Sequence, residues 1–134
     1  MKSFLAACSI LIMASSVSAQ DVLILGEIHD NPRHHDVQAE RVEAFAPAAI
    51  VFEMLTPDQA RMVTPDNRAD PAALAEALDW ATSGWPDFAM YHPIFMAAPD
   101  ARVYGAQIPR HVARDAFETG IEQAFGGDAA LYGL

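Results

Sequence analysis

Directly behind four apolar residues and a glycine, the segment VLILGEIHDNPRHH (Val22–His35) crowds together Glu27, His29, Asp30, Asn31, Arg33, His34 and His35. A carboxylate and an imidazole two residues apart point the same way if the chain continues extended. Such a pair can hold a metal ion, or act as a base and the group that orients it. A second acid, Glu53, ends the apolar run AIVFE (49–53). If the two runs were neighbouring parallel strands, about 4.8 Å apart, the two carboxylates would face one another and require a cation or a shared proton. The ordinary alternative is that each glutamate caps a turn or pairs with an arginine. His34 and His35 open a helix and so diverge. His34 shares a face with Gln38, and His35 is expected to be exposed.

A second cluster lies at GWPDFAMYHPIF (84–95), where Trp85, Phe88, Tyr91 and Phe95 fall within one short stretch. Its plain role is a hydrophobic cap over a sheet. Its chemical role would be the wall of a pocket for a flat apolar ligand, because a tyrosine phenolate can hold haem iron. Tyr91 beside His92 is the best-placed tyrosine, ahead of Tyr104 and Tyr132. Arg33 or Arg110 could then meet the propionates. Other chemistries find less support. There is no HExxH pair, no GxSxG elbow and no glycine-rich phosphate loop, and Ser83 is the only serine beyond residue 20.

Positioning these groups requires strands. VLIL (22–25), AIVFE (49–53) and RVYGA (102–106) read as short strands separated by helix-like segments, a βαβαβ order. The first two runs are continuous, which suits a parallel sheet covered on both faces. The fold class expected is therefore α/β, a partial parallel sheet with helices on its faces. Right-handed crossovers would bring Glu27, His29, Glu53, Gln107 and Arg110 to the edge formed by the C-terminal ends of the strands. Helix starts are marked by Thr56-Pro57, with Gln59 completing a capping box, and by Asp70-Pro71. A first helix is expected over 34–46, with Val42, Phe45 and Ala46 inward. Leu74, Leu78 and Ala81 share one face of a later helix. A last helix follows Pro109, with Val112 and Ala116 at one spacing of four and Phe117, Ile121 and Phe125 at another, and ends at Gly126-Gly127.

The first nineteen residues have a basic start (Lys2), a short apolar run and a small-residue end, the pattern of a cleaved secretory signal. The run is shorter than the roughly 20 residues that span a bilayer, so no integral membrane segment is expected after cleavage. A periplasmic or secreted protein follows, with a lipoprotein less favoured because the apolar run lies after Cys8. Cleavage would remove the one cysteine, excluding disulfides and thiolate chemistry from residues 20–134. The 134-residue chain has a formal net charge of −10, and without Lys2 it keeps seven arginines against eighteen acids. Nucleic acid is therefore an unsuitable partner.

The blocks LILGEIHDNPRHHDVQ (23–38), IVFEML (50–55), GW with YHPIF (84–85, 91–95) and VYGAQIPR (103–110) resemble the ChaN family, haem-binding, iron-uptake-associated envelope proteins related to Tiki, TraB and erythromycin esterases. The resemblance implies an α/β domain over residues 20–134 with a ligand site at the strand ends. It also implies haem with a tyrosine ligand, sometimes held between two subunits, which makes a homodimer one option. Carried over, the strand-end motif falls on Glu27 and His29, the second acid on Glu53 and the tyrosine on Tyr91. Family members are typically about twice as long, so the domain is expected to be incomplete, its sheet edge in need of a partner. Three functional expectations follow. The first is a haem-binding uptake protein using Tyr91, His29, Glu27, Arg33 and Arg110. The second is a hydrolase in which His29 is the base, with Glu27 and Glu53 orienting it or holding a divalent metal. The third is an inactive, shortened family member.

Overall fold

The computed structural model describes residues 22–125 together with Gly127 and Leu131. The proposed signal segment and Tyr132 lie outside the described residues. Two strands, β1 (Ala49–Phe52) and β2 (Arg102–Gly105), pair in parallel, with Ile50 opposite Val103 and Val51 opposite Tyr104. The pairing is extended by bonds from Arg102 N to Ala48 O (3.0 Å) and from Ala106 N to Phe52 O (2.9 Å). Gly105 passes so close to the turn after β1 that a Cβ there would overlap the carbonyl oxygens of Leu55 and Thr56. The class is the α/β arrangement expected, and the sheet has two strands among the described residues.

The difference is at the first expected strand. Val22–Leu25 is extended and alternates in exposure, with Val22 and Ile24 outward and Leu23 and Leu25 half-buried. No backbone–backbone hydrogen bond joins Val22–Glu27 to another segment among the described residues. It runs instead along one wall of a cleft whose other wall is β1.

α1 (Pro32–Phe45) precedes β1, and between the strands lie α2 (Pro57–Arg61), α3 (Pro65–Arg68), α4 (Pro71–Ala77), α5 (Trp80–Ser83) and α6 (Phe88–Ala97). The capping signals act as expected. Asn31 accepts from Arg33 N at the start of α1, Thr56 and Gln59 form a complete capping box on α2, and Asp70 accepts from Ala72 N and Ala73 N on α4. Leu74 and Leu78 are fully buried, whereas Ala81 is exposed. Of the expected inward residues of α1, Val42 is buried, Phe45 half-buried and Ala46 exposed, because the chain turns left-handed there (φ 47°) to end the helix.

The aromatic stretch forms the organising helix of the core. Phe88, Tyr91, Ile94 and Phe95 recur at helical spacing and are all buried, and Phe95 stacks on Phe52 with ring centroids 4.2 Å apart. Fully burying side chains of this size stabilises by about 1.5–3 kcal/mol each. Trp80 packs between Phe88 and Tyr91 and donates from Nε1 to Pro86 O (2.7 Å). The end of α6 is clamped to β2 by Arg68. Its buried guanidinium donates to the carbonyls of Ala98, Pro99 and Ala101.

Beyond β2, α7 (Arg110–Thr119) and α8 (Ile121–Phe125) replace the single expected helix. The chain breaks between them at Gly120, whose φ of 92° suits glycine. Val112 and Phe117, the first residues of the two helical spacings, are exposed, Phe117 at 91%. No described helix is long and apolar enough to cross a membrane.

Candidate functional site

Glu27 is the hub. Its side chain is 6% exposed, and three donors converge on its two oxygens. Oε1 accepts from His29 Nδ1 (2.8 Å) and from the Tyr91 hydroxyl (3.2 Å), while Oε2 faces His35 Nδ1 (3.2 Å). The Tyr91 proton is shared with the carbonyl of His29, also at 3.2 Å, long for a hydroxyl donor. His35 donates from Nε2 to that same carbonyl (2.9 Å).

Local structure explains this convergence. Alternation along the extended segment puts Glu27 and His29 on the half-buried side with Leu23 and Leu25. A turn at Ile28–Asn31, closed by Asn31 N to Ile28 O (2.9 Å), then leads into α1. One helical turn further, His35 and Gln38 sit on the inner face, and Gln38 reaches back to Leu25 O. From the opposite side, α6 supplies Tyr91, fully buried against α1, its ring 4.3 Å from that of His35.

The electrostatics of Tyr91 follow from that position. Burial, then the charge and hydrogen bond of Glu27, with smaller contributions from Glu53 and Asp30, push its phenol well above the ordinary range. It is a firm proton donor. His35 is 1% exposed, and both its ring nitrogens meet oxygens, since Gln38 Oε1 also lies 3.3 Å from Nδ1.

His29 differs from His35. Its side chain is 42% exposed, and it lines the cleft. With Nδ1 committed to Glu27, Nε2 is the remaining ring nitrogen, and it makes no hydrogen bond among the described residues. Trp85 meets this ring edge-on, with centroids 4.9 Å apart, and its own Nε1 is buried without an acceptor.

The cleft holds about 850 Å³, within the range of small-molecule and cofactor sites. Leu25, Val42, Phe45, Ile50 and Ile94 contribute apolar walls, and Glu27, His29, Gln38 and Glu53 contribute polar groups. Among the described residues no lysine or arginine lines it.

The sequence-derived candidates therefore divide. Glu27, His29 and Tyr91 are brought together. Glu53 is exposed on the cleft wall, and among the described residues no group of three or more His, Cys, Asp or Glu side chains is arranged to hold a metal ion. The Glu27–His29–Glu53 ligand set is thus not gathered in this conformation. Arg33 is exposed beside Asp36 (3.7 Å) and Glu40 (3.6 Å), and Arg110 is exposed at the start of α7; neither lines the cleft. Tyr104 is 48% exposed on β2.

The ranking of the paired histidines is reversed. His35, expected to be exposed, is the buried partner of Glu27, whereas the Nδ1 of His34 accepts from Ile28 N (2.9 Å) outside the network. The signal for His35 was present in the sequence, because His35 and Gln38 share the i, i+3 relation and precede buried Val42 at i+7.

Searches of curated proteins and of solved structures returned no match. A family model described as haem-binding uptake, Tiki superfamily, ChaN, matches residues 13–133, nearly the whole chain. The match takes in the hub carboxylate, its three partners and both walls of the cleft, and the chain belongs to this ChaN family of haem-binding uptake proteins.

Proposed function

We propose that this chain is a periplasmic or secreted haem-binding protein serving iron uptake, released by cleavage after residue 19, and that the cleft between Val22–Glu27 and β1 receives the haem. The observation that carries this reading is the cleft itself, with apolar walls wide enough for a cofactor and an imidazole nitrogen open at its polar end. The residues fit the group in two respects. Leu25, Val42, Phe45, Ile50 and Ile94 suit a flat apolar macrocycle, and the Glu27–His29 pair is a carboxylate–imidazole unit of the kind that orients metal ligands. Haem, when bound, would supply an iron centre and two carboxylates. Those carboxylates could meet Arg33 or Arg110 only outside the cleft, since neither arginine lines it.

Within this reading the chain's own residues have separate tasks. The apolar walls exclude water from the bound face. Glu27 holds the proton of His29 at Nδ1, and Tyr91 and His35 hold Glu27 in turn. Titration of the purified protein with haemin tests the proposal. A saturable Soret change is expected, with a rise in the melting midpoint, because a ligand specific to the folded state stabilises it. A linear response matching that of an unrelated acidic protein would defeat it.

The Glu27–His29 geometry also favours a second reading, a hydrolase in which His29 is the general base and Glu27 its orienting group. Turnover of ester substrates that disappears in His29→Ala, in protein giving no saturable response to haemin, would establish that reading in place of the first.

A further inference from the structure

We propose that the exposed apolar face of α7, with Ile108 in the approach to it, is a docking surface for a membrane carrying anionic phospholipid. The inference is independent of what the cleft holds.

Charge is not spread evenly along the chain. Beyond residue 20 there are seven arginines and eighteen acids, yet residues 101–114 contain Arg102, Arg110 and Arg114 and no acid. Other arginines are engaged. Arg33 and Arg61 lie beside acids of their own helices, and Arg68 is buried against carbonyl oxygens. Among the described residues Arg102, Arg110 and Arg114 form no ion pair, and all three are exposed.

The apolar side chains of the same stretch are equally unengaged. Ile108, Val112 and Phe117 are exposed, no residue of α7 is buried, and α7 packs chiefly against α8. Helical spacing gathers Val112, Ala113, Ala116 and Phe117 into one strip. Arg110, Arg114 and Phe117 follow one another at i, i+4 and i+7, so both arginines border the Phe117 edge of that strip. His111, Asp115 and Glu118 take the other side of the helix. An apolar strip edged by arginines, with the acids turned away, suits a helix lying in a headgroup layer. Phe117 would enter the apolar boundary while the two guanidinium groups reach lipid phosphates.

The acidity of the whole chain does not oppose this. Exposed charges more than about 8–10 Å from the lipid are largely screened at physiological salt. A helix with its side chains is about 10–12 Å across, which sets Asp115 and Glu118 at that distance when the strip faces the lipid. A second copy of the chain is a poorer match. In the symmetric pairing that dimers usually adopt the same patch meets itself, which brings two pairs of unneutralised arginines into one interface. With ten residues of helix and two bordering arginines, the contact is reversible.

The test is flotation with phosphatidylcholine vesicles made with or without phosphatidylglycerol. It uses protein expressed from the full chain, its mass recorded so that a retained leader is recognised. Wild type should float with the anionic vesicles at low ionic strength and be released by high salt. Arg110→Gln and Arg114→Gln should each weaken partitioning about five-fold, and Phe117→Ser about ten-fold. The control is Arg41→Gln with Arg61→Gln, which removes as much positive charge from exposed positions elsewhere and should leave partitioning unchanged. Phe117→Trp should bind like wild type and add an emission that shifts to the blue with anionic vesicles, against the background of buried Trp80 and half-buried Trp85. Failure of wild type to float with either vesicle would overturn the proposal. Flotation that is indifferent to phosphatidylglycerol, or equal in wild type and Phe117→Ser, would overturn it as well. A dimer that Phe117→Ser dissolves, in protein that does not float, would give this face to a second copy instead.

Discussion

The two faces of the sheet are covered to very different degrees. On one, Phe52 stacks on Phe95, α6 packs against α1, and the polar atoms of Glu27, His35 and Tyr91 find partners within the packing. On the other, Val51 and its register partner Tyr104 share a face and are 63% and 48% exposed. α7 has a clear apolar stripe, yet Val112 and Phe117 lie open to solvent. Both regions carry the periodic hydrophobic pattern that sequence reasoning uses. In one of them alone does the pattern correspond to packing. Stability is therefore concentrated on the α1–α4–α6 side, and the candidate site is built into that side.

The sharpest way to break this comparison is to truncate matched residues from the two regions. Phe95→Ala should lower unfolding free energy by about 3–5 kcal/mol in urea melts, as expected for a fully buried phenylalanine. Phe117→Ala, at 91% exposure, should change it by less than about 0.5 kcal/mol. Equal losses at the two positions would mean that the α7 stripe is packed in solution. Glycines offer the same contrast at smaller scale. Gly105→Ala forces a Cβ onto the backbone after β1 and should cost about 1–3 kcal/mol, whereas no atom lies within 4 Å of a Cβ at Gly26, and Gly26→Ala should be tolerated.

Within the packed region, Tyr91→Phe removes one of the donors that hold the Glu27 carboxylate and should cost about 1–3 kcal/mol. It should also alter the alkaline limb of stability. The folded state holds the Tyr91 proton more tightly than the unfolded chain, whose phenol titrates near its ordinary 10.0. That contribution is complete below pH 10.0 and is lost as pH rises from there toward the higher folded value. Urea melts across this window should show stability falling with pH in wild type, and a shallower fall in Tyr91→Phe. The smallest effect is expected at Arg33→Ala, whose ion pairs with Asp36 and Glu40 are exposed and should contribute less than about 1 kcal/mol.

The same contrast explains what could be read from the sequence. Local chemistry was legible: Thr56-Pro57 and Asp70-Pro71 start helices, and Leu74 and Leu78 fall in the core. The parallel sense of the sheet was legible too, because the runs at 49–52 and 102–105 are short and separated by helical segments, while which runs are neighbours was not. The helical state of 88–97 was obscured by Pro93 inside it, although Asp87 caps it through Ala89 N and its aromatics keep helical spacing. His35 was ranked below His34 although its spacing to Gln38 and Val42 marked the inner face of α1. Val22–Leu25 has strand composition, but pairing depends on a neighbour at hydrogen-bonding distance, which composition does not specify. Exposure of Val112 and Phe117 is the same lesson in a helix, since amphipathicity marks a face without supplying what covers it.

Nitrogen NMR of protein labelled in its imidazole rings tests most directly the claim that Glu27 sets up His29 for the cleft. The geometry predicts a proton held on His29 Nδ1, the nitrogen that faces Glu27, and in Glu27→Gln a loss of that preference. A wild-type His29 with its proton on Nε2, the nitrogen facing away from Glu27, would contradict the account.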